Sequence, residues 1–121
     1  MPKYIDGFVV PIEKKNLAAY RKLAKLAGKV WREHGALQYV EAVGADLNLP
    51  YGFPFPKLAK LKKTETVFFS FIVYKSKADR DRVNGKVMRD PRLAKCMDPK
   101  AMPFDMKRMS CGGFEVLVEA K

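Results

Sequence analysis

No apolar run in the 121-residue chain approaches the ~18–20 residues that a helix needs to cross a bilayer. The opening stretch, MPKYIDGFVVPIEKK, is too short in its apolar part, and too interrupted by Asp6, to read as a secretion signal. The expectation is therefore a soluble, cytoplasmic protein with no membrane partner. Cysteine is scarce. Cys96 and Cys111 have no CxxC or zinc-type spacing, and without an export signal they read as reduced thiols. There is no GxSxG, no P-loop and no Rossmann glycine pattern, which removes the enzyme classes that those motifs carry. Acidic residues are few: 13 Asp and Glu stand against 24 Lys and Arg, a formal net charge of +11. That excess favours solubility and attracts polyanions, but it does not bear on fold.

What the chain has is apolar residues, 48% of the total, enough for one compact domain spanning residues 1–121 with a modest core. They concentrate in Glu65–Lys75, ETVFFSFIVYK. A strand there points Phe68, Ser70, Ile72 and Tyr74 to one side and Val67, Phe69, Phe71 and Val73 to the other. Both sides are apolar, so the spacing predicts a central strand covered on both faces. A short chain covers one face with its own helices. A second copy is expected on the other.

The remaining elements follow in order. Tyr4–Ile12 reads as a first strand, with Asp6 out of place on its Phe8 side. A helix is predicted from about Lys15 to His34, with Leu17, Tyr20, Leu23, Ala24, Ala27, Val30, Trp31 and His34 on one arc and Gly35 ending it. Ala36–Val43 is a second strand, carrying Glu41 on the Leu37 and Tyr39 side. Residues 44–64 form a long irregular segment in which Pro50, Pro54 and Pro56 forbid regular structure. Its Tyr51, Phe53 and Phe55 make it a lid packed on the body rather than a solvated loop. After the central strand, Ser76 caps a helix running to about Arg89, and Asp90-Pro91 opens a further turn. A loop over Lys100–Lys107 leads to a last strand, Arg108–Glu119, where Gly112-Gly113 marks a bulge or a close backbone approach. The order βαββαβ gives an α+β, ferredoxin-like sandwich: a four-stranded antiparallel sheet with two helices on one face. Its open apolar face predicts a homodimer.

KYIDGFVVPIEKKNLAAYRKLAKLAGKVWREHGALQYVEAVG, ETVFFSFIVYKSKADRDRVNGKVM and DPRLAKCMDPKAMPFDMKRMSCGGFEVLVE together resemble the YbaA-like family of small uncharacterised bacterial proteins, MDPKAMPFD most specifically. The resemblance covers nearly the whole chain. It implies the dimeric α/β-barrel superfamily, whose members include cofactor-independent monooxygenases and small-molecule isomerases, and it supplies no catalytic residue to carry over.

Three groups of residues are candidates for function. His34, the single histidine, ends the first helix on its apolar arc, where a general base would fit; the plain alternative is a ring bonding free carbonyls or packed on Trp31. Asp6 and Glu41 are mid-strand carboxylates, read either as proton carriers facing a cleft or as ion-pair partners at a dimer interface. With Phe8, Trp31, Tyr39, Phe69 and Phe71 as apolar walls, Glu41 among the lining and Tyr51, Phe53 and Phe55 as cover, His34 and Asp6 would supply the polarity of a pocket that holds a small organic molecule between sheet and helices. Cations form the third group: Arg21, Lys22, Lys25, Lys29 and Arg32 on the first helix, with Lys57, Lys60, Lys62 and Lys63 after the Pro-rich loop. They would meet phosphates of RNA or another polyanion, without sequence specificity, since VFFSFIVY lacks the glycine pattern of an RRM. A ligand-free dimeric interaction module is the third reading. No metal or cofactor is expected: Met97, Met102, Met106 and Met109, with both cysteines, have no repeating ligand spacing and read as packing beneath the irregular segment.

Overall fold

The computed structural model describes residues 1–121. Four strands form one antiparallel sheet: β1 (Tyr4–Glu13), β2 (Gln38–Val43), β3 (Glu65–Tyr74) and β4 (Ser110–Glu115), in the order β2-β3-β1-β4. Between them lie α1 (Leu17–His34), the one-turn α2 (Phe55–Leu58), α3 (Lys77–Met88) and the one-turn α4 (Pro91–Ala94). The doubly apolar β3 is central, as its pattern requires, beside β1. Register sets Phe8 and Glu41 on either side of Ser70, so the three share one face.

Alternation along each strand fixes two surfaces with different coverings. Tyr4, Val10, Ile12, Phe68, Ile72 and Tyr74 face the helices and are buried. Tyr4, Ile72 and Tyr74 cluster with Val30 of α1 and with Val83 and Val87 of α3, these three inaccessible or nearly so, while Val10, Ile12 and Phe68 cluster with Tyr20 of α1. Burial of such side chains stabilises the fold by about 1.5–3 kcal/mol each. On the other surface Phe69 stays 51% exposed and Phe114 60%.

Local chemistry sets the helix ends. Gly35 takes φ +123°, a backbone that side chains other than glycine's rarely adopt, and its N–H reaches the Arg32 carbonyl. Ser76 Oγ accepts from the Asp79 N–H at 3.1 Å, and Asp90 caps α4 through the Arg92 N–H. Gly112 and Gly113 pair in regular register with Gly7 and Asp6, so no bulge is present. The second glycine instead admits Tyr4: a Cβ at position 113 would lie 2.1 Å from its hydroxyl oxygen.

Several boundaries differ from the sequence reading. Lys14–Asn16 is a 3-10 turn, so α1 starts at Leu17, and β2 starts at Gln38. The expected irregular segment contains α2; Pro56 is tolerated in its first turn, where its missing N–H has no helical partner in any case. A 3-10 turn occupies Met106–Arg108, and β4 ends at Glu115 because the sheet partner, β1, begins at Tyr4. The Pro-rich segment does not cover the helix side. Phe55 packs edge-to-face on Phe69, ring centroids 6.4 Å apart, which puts α2 on the open face of the sheet. At the other end of that face, Val116 and Val118 of the C-terminal tail border Phe71 and Val73. No helix is long and apolar enough to cross a membrane.

Candidate functional site

Between the helix-side surface and α1 lies a cavity of about 160 Å³. Phe8, Val10 and Ile72 floor it from the sheet, Leu23, Ala27 and Trp31 wall it from α1, and a strap running from Leu93 to Met109 borders it on the remaining side. Met97, Met102, Met106 and Met109 all lie on that strap and line the cavity. The methionines therefore wall a chamber on the helix side, rather than packing beneath the Pro-rich segment; thioether chains suit this position because they fit varied shapes.

One polar cluster interrupts the apolar lining. Glu41 Oε1 accepts hydrogen bonds from the Tyr20 hydroxyl at 2.7 Å and from the Ser70 hydroxyl, and Oε2 accepts from the Tyr39 hydroxyl at 2.7 Å. Burial, then the adjacent Glu41 charge, holds both tyrosines well above the ordinary phenol range, so they remain protonated donors. A carboxylate offers about four acceptor positions, and three are taken. The fourth, on Oε2, has no donor within the chain. Tyr20 is itself held by stacking on Phe68, 4.2 Å between centroids, and Tyr39 by Trp31 at 5.9 Å.

Tyr20, Ala24, Tyr39 and Glu41 also border an open groove of about 950 Å³ between α1 and the edge strand β2. Arg21, Lys25, Lys29 and Arg32 line that groove. Lys22 does not, and neither do Lys57, Lys60, Lys62 and Lys63, which belong to α2 and the α2–β3 connection. The two cationic sets are thus on separate elements and do not border one groove.

Neither expected catalytic residue lines the cavity or the groove. His34 places Nε2 2.9 Å from Asp90 Oδ2, rather than on a carbonyl or on Trp31. Arg92 grips the same carboxylate and reaches Glu33, so the ring ties the end of α1 to the start of α4. Asp6 faces α3, with Oδ1 3.5 Å from Arg80 Nε and Oδ2 accepting from Asn84 at 3.4 Å. Its cation comes from its own chain. Asn84 Oδ1 also accepts from the Tyr74 hydroxyl and from Trp31 Nε1, so Trp31 links this network to the cavity wall. The other expected pocket residues divide by strand parity. Phe8, Trp31, Tyr39 and Glu41 border the cavity. Phe69 and Phe71 lie on the opposite surface, and Tyr51 and Phe53 stay 73% and 70% exposed. They form no lid over it.

Comparison with known proteins agrees with this architecture. The profile of a family described as a protein of unknown function, DUF1428, matches residues 3–106. The chain belongs to the DUF1428 family. It is 41% identical over 117 residues to the uncharacterised protein YbaA of Escherichia coli K12, covering 97% of this chain and 98% of that one, and equally to YbaA of Shigella flexneri. Among solved structures it is similar to a dimeric ferredoxin-like protein from an uncultured marine organism, with TM-score 0.61 and 13% identity over 99% of this chain and all of that one. Rv0793 from Mycobacterium tuberculosis is similar at TM-score 0.58 and 16% identity over 98% and 99% of the two chains. These likenesses establish the ferredoxin-like fold of this DUF1428 member.

Two members of its polar cluster, Tyr20 and Ser70, escape the sequence reading as site residues. Ser70 left a signal, being the one aliphatic hydroxyl in the apolar run VFFSFIVY. Tyr20 left a weaker one, a phenol on the apolar arc of α1 that needs a partner for its hydroxyl.

Proposed function

We infer that the protein binds a small organic molecule in the cavity between sheet and α1, with Glu41 as the group that orients it, and that it does so as a homodimer. The carrying observation is the lone carboxylate in an apolar chamber, with three hydroxyl donors fixed on it and one acceptor position open. An apolar cavity of ~150 Å³ accommodates a benzene ring, so a chamber of about 160 Å³ fits a single ring or a short branched chain. The open acceptor selects a ligand bearing a hydroxyl or an N–H. A phenol or an enol satisfies both demands. The same carboxylate is placed to receive a proton from such a group, the opening step of cofactor-free oxygenation or isomerisation. Support for the homodimer is the exposed Phe69 and Phe114 on the uncovered sheet face, together with the dimeric state named for the marine ferredoxin-like protein.

Methyl NMR tests the binding directly. Four of the six methionines line the cavity, while Met1 and Met88 do not and serve as internal controls. Titration with 4-methylphenol is expected to shift the four cavity methyls saturably and leave the two controls in place. Glu41→Gln should weaken that binding by about tenfold or more, the usual effect of losing a hydrogen bond to a charged group. Unmoved cavity methyls at millimolar probe would refute the reading.

A further inference from the structure

The groove outside the Glu41 partition carries a charge that the cavity does not explain. Four cations line it against the single carboxylate of Glu41. Arg32 is occupied, donating to the Ala36 carbonyl at 2.8 Å and to that of Leu37. Arg21, Lys25 and Lys29 make no ion pair within the chain, and their spacing of four residues stacks them along one side of α1. Like charges at that spacing repel, so the helix is destabilised by its own rim unless an anion sits there. Tyr20, Tyr39 and Glu41 form the boundary shared by the apolar chamber and this cationic groove. A molecule with its donor on Glu41 lies at that boundary, and three unpaired cations line the groove side of it.

We propose that the ligand is an anionic amphiphile: a hydroxylated ring or short chain seated in the chamber, carrying a carboxylate, phosphate or sulfonate that Arg21, Lys25 and Lys29 hold in the groove. The proposal rests on the cavity reading above and narrows it to one chemical class. It also gives the α1 cations a use other than nucleic acid. The groove is walled by Tyr20, Ala24, Gly28 and Tyr39, and its cations follow one helix edge, whereas a polyanion site would join them to the separate lysines of the α2–β3 connection.

Calorimetric titration with matched probes decides the matter. The set is 4-hydroxyphenylacetate, 3-(4-hydroxyphenyl)propanoate and the neutral amide of each. At low salt at least one carboxylate should bind tenfold or more tightly than its amide. That advantage should vanish in Lys25→Gln/Lys29→Gln, while the amide binds the variant as before; raising salt should shrink it in the native protein. Equal binding of acids and amides by the native protein would overturn the anionic class while leaving the cavity reading intact. No binding of any probe, with cavity methyls unmoved, would overturn both. Displacement of the acid by a short single-stranded oligonucleotide, with no acid-over-amide preference, would return the rim to nucleic acid and overturn the proposal.

Discussion

Gly28 lies within α1, where alanine normally improves a helix by up to ~1 kcal/mol. Gly28→Ala should nevertheless destabilise this protein. The new Cβ would meet the Tyr39 ring at 2.9 Å from Cδ1 and 3.2 Å from Cε1, so the whole ring must move. Tyr39 is not free to move, because its hydroxyl is on Glu41 at 2.7 Å and Trp31 packs beside it. Overpacking of this kind costs about 1–3 kcal/mol, and losing a hydrogen bond to a carboxylate costs about 1.5–3 kcal/mol more. Set against the propensity gain, the expected net loss is about 1.5–5 kcal/mol. Urea denaturation with unchanged m-value measures it. Two companions isolate the cause. Gly85→Ala in α3, whose Cβ would find only the Arg89 guanidinium at 3.8 Å, should gain stability by up to ~1 kcal/mol. In a Tyr39→Phe background, Gly28→Ala should cost about 1.5 kcal/mol less than in the native protein, since the hydrogen bond is already gone. A Gly28→Ala protein as stable as the native one would refute the described seating of Tyr39 against α1.

The remaining predictions concern the fold's other polar and apolar supports. Asp90 is held well below the ordinary aspartate range by Arg92 first and His34 second. A carboxyl depressed in this way adds stability above its unfolded pKa of ~3.9 and loses it as pH falls below that value; denaturation curves from pH 6 to 2 should therefore fall more gently in Asp90→Asn than in the native protein. Arg108 pairs with the buried Glu65 through both guanidinium nitrogens and also donates to the Ala59 and Lys60 carbonyls. Arg108→Ala leaves the buried Glu65 with only the Lys62 N–H as a partner, and urea titration should record a loss of about 3 kcal/mol, the low end for a buried pair because the arginine is partly exposed and that N–H remains. Phe69→Glu puts a charge at the centre of the open face; light scattering at micromolar concentration should show a monomer where the native protein shows a dimer, and a native monomer would remove the homodimer from the reading.

Elements whose cause is local were legible in the residues. The two-sided apolar pattern of β3, the arc of α1, Gly35 at its end and the Ser76 and Asp90 caps all depend on neighbours within a few positions. The turn at α2 was hidden because three prolines conceal a helix whose first turn accepts one of them. The site was half legible. Glu41, Tyr39, Trp31 and Phe8 were identified as lining, but which side of the sheet the Pro-rich segment takes depends on tertiary contacts, Phe55 with Phe69 above all. Asp6 announced that it needed a cation, yet 24 lysines and arginines left Arg80 unidentifiable. His34 likewise gave no sign of Asp90, which lies 56 positions away in the chain.

A strand that is greasy on both sides carries an ambiguity of its own. In most sheets a slip of one residue is forbidden because it would turn polar side chains inward. In β3 a slip would exchange Phe69 and Phe71 for Ser70 and Ile72, and the hydrophobic effect alone would scarcely object. What forbids it is a small set of addressed hydrogen bonds: Ser70 to Glu41 in mid-strand, Tyr74 to Trp31 and Asn84 at its end. The hydrogen-bonded cluster around Glu41 is thus also the key that tells the strand where to stop. An insertion in β3, or the loss of Ser70 and Glu41 together, would leave a chain still able to collapse but with two solutions to the same jigsaw.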